Sequence, residues 1–206
     1  MPALATAPVP LLVLTAILVC NPAHAQTAEV EAVPAVAVVP DSSAREATLA
    51  EAAKWFKSNL PKLSRAHAVI EVDAHIGGTD VQSVRTWVSS AKLDRCKLTL
   101  DRVFDNDGIV AATGGSRVRH EVPLRSVDPA SIGVQQTQVA GSRLHFKGKQ
   151  PWRVVLSLAN GSIQTHSDFA GDRYSSNDGQ LDLIVANQEA GVEVANRMQA
   201  AVMACR

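Results

Sequence analysis

The sequence predicts an α+β fold: a mainly antiparallel β meander or partly open barrel, with an N-terminal helix before it and a C-terminal helix capping it. Three observations carry that prediction. A period-two segment, Ser64 to Ile76, is followed by many short apolar runs separated by turn chemistry. A single amphipathic stretch at helical spacing precedes the strands and another follows them. Hydrophobic residues make up 46% of the 206-residue chain, enough for a core of its own.

The elements divide the chain into three stretches. Met1–Ala25 carries no Lys, Arg, Asp or Glu; its apolar run Val9–Cys20 is followed by Pro22 and the small-residue pattern Ala23-His24-Ala25. That is the apolar region and cleavage site of a secretory signal peptide, so residues 1–25 predict export to a periplasmic or extracellular compartment. The run falls short of the roughly 20 residues a spanning helix needs, so no transmembrane anchor is expected in the mature chain. Residues 26–41, QTAEVEAVPAVAVVPD, lack a helical period and contain Pro34 and Pro40, which reads as a flexible linker. Residues 42–206 are expected to form one globular domain.

Within that domain Ser43 and Glu46 have capping-box spacing, and Leu49, Ala52, Ala53, Phe56 and Leu60 follow at helical intervals until Pro61. Ser64–Ile76 then places Ala66, Ala68, Ile70, Val72, Ala74 and Ile76 on one strand face. His67, Glu71, Asp73 and His75 lie on the other. Further strands are expected at 81–88, 94–104, 117–124, 132–139, 143–147, 152–158, 162–167 and 181–186. Turns such as Asn160-Gly161 and Asn177-Asp178-Gly179 separate them. The stretch 167–180 reads as a long loop. A final helix, from about Gln188 to Ala204, carries the stripe Ala190, Val194, Met198, Ala201 and Cys205.

Two cysteines survive removal of the leader, Cys96 and Cys205. In an oxidising compartment they predict one disulfide tying the last helix to the sheet, with two buried thiols as the alternative. In the chain-entropy model a loop of about 110 residues makes that bond worth about 4 to 5 kcal/mol at most.

Three stretches carry a resemblance: Cys96–Leu100, Val122–Ile132, and the run from Leu181 through Ala195-Asn196-Arg197-Met198 to Cys205. With the strand count and the final helix, the layout resembles the pleckstrin-homology-like barrel, and small exported bacterial proteins built on that plan. The resemblance implies a binding scaffold and transfers no site residue.

Charge and composition narrow the function. Twenty basic and twenty acidic residues cancel, and aromatics are 4% of the chain. A polybasic nucleic-acid binder or a base-stacking platform is therefore not expected. No Walker A, G-x-G-x-x-G, H-E-x-x-H or G-x-S-x-G pattern occurs, so neither a cofactor nor a nucleophilic hydrolase is expected. Asp73 and His75 are the right side chains for half of a metal or acid–base site. They carry the alternative function, a metal-dependent or acid–base hydrolase. His67 cannot join them, because it lies about 26 Å from His75 along an extended strand. Arg143, Lys147 and Lys149 recur at period two with His145 and form a basic stripe. Such a stripe attracts an anionic surface, or simply blocks edge-to-edge aggregation. Asp168, Asp172 and Asp178 invite calcium but miss the EF-hand spacing. The leading expectation is an exported binding or interaction module whose partner is an unidentified protein or an anionic surface.

Overall fold

The computed structural model describes residues 42–73, 79–106, 116–138, 144–169 and 172–206. The predicted signal peptide, the linker, His75 and Arg143 lie outside them. The described chain is α+β with antiparallel sheets and a helix at each end of the order.

Helix α1 spans Ser42–Leu63 and buries Ala52, Trp55, Phe56 and Leu60. Pro61, expected to stop it, lies inside its last turn. A proline forfeits its own backbone bond, yet Ser64 N–H still reaches the Leu60 carbonyl at 3.0 Å. The strands follow in order: β1 Ala66–Asp73, β2 Thr79–Asp94, β3 Lys97–Asn106, β4 Ser116–Pro123, β5 Gly133–Gln136. Then come β6 Leu144–Phe146, β7 Trp152–Ser157, β8 Ile163–Phe169, β9 Asp172–Asp178 and β10 Gln180–Val185. Helix α2, Gln188–Ala204, ends the chain; its N-cap Asn187 accepts from Ala190 N–H at 2.8 Å.

Seven strands form one sheet in the order β6-β1-β2-β3-β4-β8-β9, and three form a second, β10-β7-β5. Both are entirely antiparallel in their described pairings. The expected strands 81–88 and 94–104 differ in detail: β2 runs unbroken to Asp94 and turns at Arg95-Cys96. The register slips between Val88 and Ser90, leaving Ser89 as an extra residue. Thr86 and Val88 are buried before the slip and Ala91 after it, so the inward parity switches. At that bulge Val88 N–H donates to the buried Ser64 Oγ at 2.8 Å, pinning the end of α1 to the sheet.

The described residues of the stretch 167–180 are paired strand rather than loop: Ser167–Phe169 end β8, and β9 pairs with β8 from Ile163↔Asp178 to Phe169↔Asp172. Its side chains are exposed from Asp172 to Asn177, so backbone pairing defines it, with a cross-strand side-chain bond between His166 Nδ1 and Ser175 Oγ at 2.9 Å. A single core lies between the layers. Phe56 and Leu60 of α1 meet Val88, Leu98, Leu100 and Val122 of the large sheet. Leu156, Leu181, Leu183 and Val185 of the small sheet and Val194, Met198 and Val202 of α2 complete it. Gly191 permits the closest approach of α2 to β5: a Cβ there would stand 2.7 Å from Val134 Cγ1. Cys96 and Cys205 come to disulfide distance, with Cα atoms 5.7 Å apart across a sequence separation of 109.

Candidate functional site: an arginine-lined cleft at the disulfide

The disulfide sits where three elements end. Arg95 and Cys96 make the two-residue turn between β2 and β3, flanked by the Asp94↔Lys97 pair. Cys205 caps α2 at its C-terminal end. A short 3-10 turn, Leu124–Ser126, follows β4, and its Leu124 N–H donates to the Cys96 carbonyl at 2.8 Å. The first turns of α1 close the fourth side.

Between these ends lies an open cleft of about 1060 Å³. Four arginines line it: Arg45 from α1, Arg95 from the hairpin turn, Arg125 from the 3-10 turn, and Arg206 after α2. Leu49, Ala204 and the two cysteines supply apolar surface, while Glu46 is the acidic side chain among the lining residues. The lining side chains thus carry four guanidinium groups and one carboxylate. Arg45 is half-buried and its Nε is sealed from solvent, so its side chain lies against the protein. Arg206 is anchored through Nη2, which donates to the Val127 carbonyl at 3.0 Å. Arg95 is held at φ 54°, a left-handed conformation that β-carbon-bearing residues adopt at a cost. Guanidinium forks match carboxylate and phosphate oxygens two at a time, so such a lining favours oxyanions.

A second polar group is buried between the sheets and differs in kind. Arg102 on β3 is 7% exposed; its Nη1 donates to the Asp182 carbonyl on β10 at 2.9 Å and to His120 Nε2 at 3.3 Å. Because a guanidinium only donates, Nε2 must accept, and Nδ1–H then donates to Thr165 Oγ1 at 3.0 Å. Burial first, and the Arg102 charge second, push the His120 pKa down to about 3. The ring is neutral and both nitrogens are occupied, so it serves as a clamp and not as an acid, base or ligand. Burial lowers the Arg102 pKa to about 10, which leaves it charged at neutral pH. The Asp182 carboxylate accepts from Arg153 Nη1 at 2.7 Å and from Gln180 Nε2 at 2.6 Å.

The residues singled out from sequence fall elsewhere. Asp73 closes β1 opposite Thr79, with its side chain outside the description, and His75 lies beyond the described residues. His67 is exposed and bonds Ser83 Oγ at 2.9 Å. Lys147 and Lys149 are exposed, and Lys147 Nζ pairs with Glu71 Oε1 at 2.8 Å. Asp172 and Asp178 occupy opposite ends of β9, about 20 Å apart, so they cannot share an ion with Asp168. Among the described residues, no group of three or more His, Cys, Asp or Glu is placed to hold a metal ion. Nor is any described helix long and apolar enough to cross a membrane.

No sequence motif marks the arginine cleft, although part of its signal is in plain view. Each cysteine of the expected pair adjoins an arginine, in Arg95-Cys96 and Cys205-Arg206. Joining the cysteines therefore brings two cations together. Arg45 and Arg125 had no such marker, since only the tertiary fold carries them to the same place. No protein family, curated protein or solved structure matches the chain.

Proposed function

We propose that this chain is an exported binding module that engages an anionic partner through the arginine-lined cleft. The observation that carries the reading is the set of four guanidinium groups around one open cleft in a chain of zero net formal charge. Charge concentrated in that way is a local recognition feature rather than a general solubilising surface. Export belongs to the proposal on the strength of the Met1–Ala25 pattern, and a cysteine pair at disulfide distance is compatible with it. A partly open barrel of the pleckstrin-homology-like kind belongs to it too, supported by the β1–β4 meander and the C-terminal helix.

Retention on an immobilised sulfated polyanion at pH 8 tests the binding reading. A chain with a pI near 7.0 has little net attraction for such a matrix there, so retention requires a local patch. The expected outcome is retention at low salt that weakens steeply as salt rises, and that falls away in an Arg45→Gln/Arg125→Gln double variant. Absence of retention at low salt, or full retention of the double variant, would sink the reading.

A further inference from the structure

We infer that the cleft takes a ligand bearing at least two phosphoryl groups, and that the Cys96–Cys205 disulfide assembles the guanidinium set that grips it. The inference rests on the anion-binding reading above and deepens it by naming the ligand class and the device that builds the site.

Three of the four arginines hang on a bond made by Cys96. Arg95 is joined to it by the peptide bond. Arg125 follows Leu124, whose N–H donates to the Cys96 carbonyl at 2.8 Å. Arg206 follows Cys205, the sulfur partner of Cys96. Without the disulfide, Arg206 and the end of α2 lose their covalent tether to the other two.

The backbone at Arg95 supports a role beyond turning the chain. It occupies the first central position of a two-residue hairpin turn, with φ 54°. Glycine is free to adopt such a conformation, and an arginine there is strained. Among the described residues no other non-glycine has positive φ. A turn that needed only to reverse direction is better made with glycine, whereas a turn that must present a cation to the cleft needs the side chain.

Charge balance gives the ligand class. Four guanidinium groups less the Glu46 carboxylate leave a surplus of three positive side-chain charges. A single carboxylate ligand leaves most of that surplus unbalanced. Two phosphoryl groups carry about three to four negative charges and present the planar oxygen pairs that guanidinium forks fit. A cleft of about 1060 Å³ has room for both groups. A soluble oligophosphate and a diphosphorylated lipid headgroup share this chemistry.

The test is calorimetric titration of the oxidised full chain with tripolyphosphate, and with acetate as a singly charged comparator. Tripolyphosphate should bind at least about tenfold tighter than acetate, as loss of each charge-assisted contact implies. Arg95→Gly should weaken tripolyphosphate binding by about tenfold while the melting temperature holds or rises, because the strain is relieved. Lys147→Gln on β6's trailing segment should bind as the parent does. Cys205→Ser should lose affinity as Arg95→Gly does; if it fails to fold, Arg95→Gly and Arg125→Gln, which keep the disulfide, carry the test.

Cardiolipin-containing phosphatidylcholine vesicles separate the sources. Binding to tripolyphosphate alone supports a soluble ligand, and binding to the vesicles as well supports a headgroup. Parent-like binding by Arg95→Gly and Arg125→Gln overturns the site, and parent-like binding by a folded Cys205→Ser overturns the disulfide's part. Retention on the polyanion matrix without preference for tripolyphosphate over acetate overturns the ligand class and leaves the anion-binding reading standing.

Discussion

Burial and the neighbouring Arg102 charge hold the His120 pKa at about 3, against an ordinary value of 6.5. The folded chain therefore refuses a proton that the unfolded chain accepts below about pH 6.5. A group depressed in this way contributes its stability in full above the unfolded value, and that contribution drains as pH falls toward 3. The slope is about 1.4 kcal/mol per pH unit, or about 2 kcal/mol between pH 6.5 and 5. Urea midpoints measured across that interval should fall accordingly, and His120→Gln should flatten the dependence. An unchanged slope in that variant would remove His120 as its cause. Asp101 acts in a lower window. The Arg119 side chain, bonded to it at 2.7 Å, holds its carboxyl below the usual range, so its contribution is lost only as pH falls through that range. Arg102 keeps period with the buried Leu98 and Leu100, and His120 with the buried Val122, so strand alternation does place both on the inward face. What masks them is residue type, since a basic side chain is ordinarily solvated.

At the scale of the element, the bulge in β2 explains why the strand expected at 81–88 stops short of Asp94. Alternation holds through Thr86 and Val88, fails at Ser89-Ser90, and resumes on the opposite parity at Ala91. A period-two rule has no way to bridge that break, so the expected strand ended at residue 88. Deleting Ser89 makes Val88↔Arg102 and Ser90↔Asp101 consecutive pairs and leaves the later partners unchanged, so Ala91 and Leu93 stay opposite the buried Leu100 and Leu98. The deletion variant should therefore stay folded at a cost of about 1 kcal/mol or less. Thermal unfolding checks it, and a loss of several kcal/mol would mean that the strand needs the bulge itself. β9 was illegible for the opposite reason. DRYSSND has no apolar face at all, and its pairing to β8 is written in backbone hydrogen bonds that every residue can make. The two helices, β1 and β10 were legible because each keeps one period from end to end. Even there the buried Trp55 lies outside the expected stripe of α1, and Arg197 covers its ring at 5.7 Å.

For the whole molecule, the disulfide is the longest-range covalent tie, linking the β2–β3 turn to the end of α2. Reduction should lower stability by about 4 to 5 kcal/mol at most, in the chain-entropy account. Denaturant midpoints with and without reductant measure it, and equal midpoints would show that the pair does not cross-link the folded chain. The tie also has an order in time. Cys96 leaves the ribosome 109 residues before its partner, which at ordinary rates of about 5 to 20 residues per second is a wait of roughly 5 to 20 s. The β2–β3 hairpin can close within microseconds, so its thiol waits nearly all of that interval for Cys205, and the one cysteine already made is Cys20 of the leader. During synthesis the tip that will carry Arg95 into the cleft thus bears a free sulfhydryl, open to an oxidant, a stray thiol or a wrong partner. In any cell that oxidises this pair, faithful assembly depends on keeping Cys96 reduced until translation has reached Cys205.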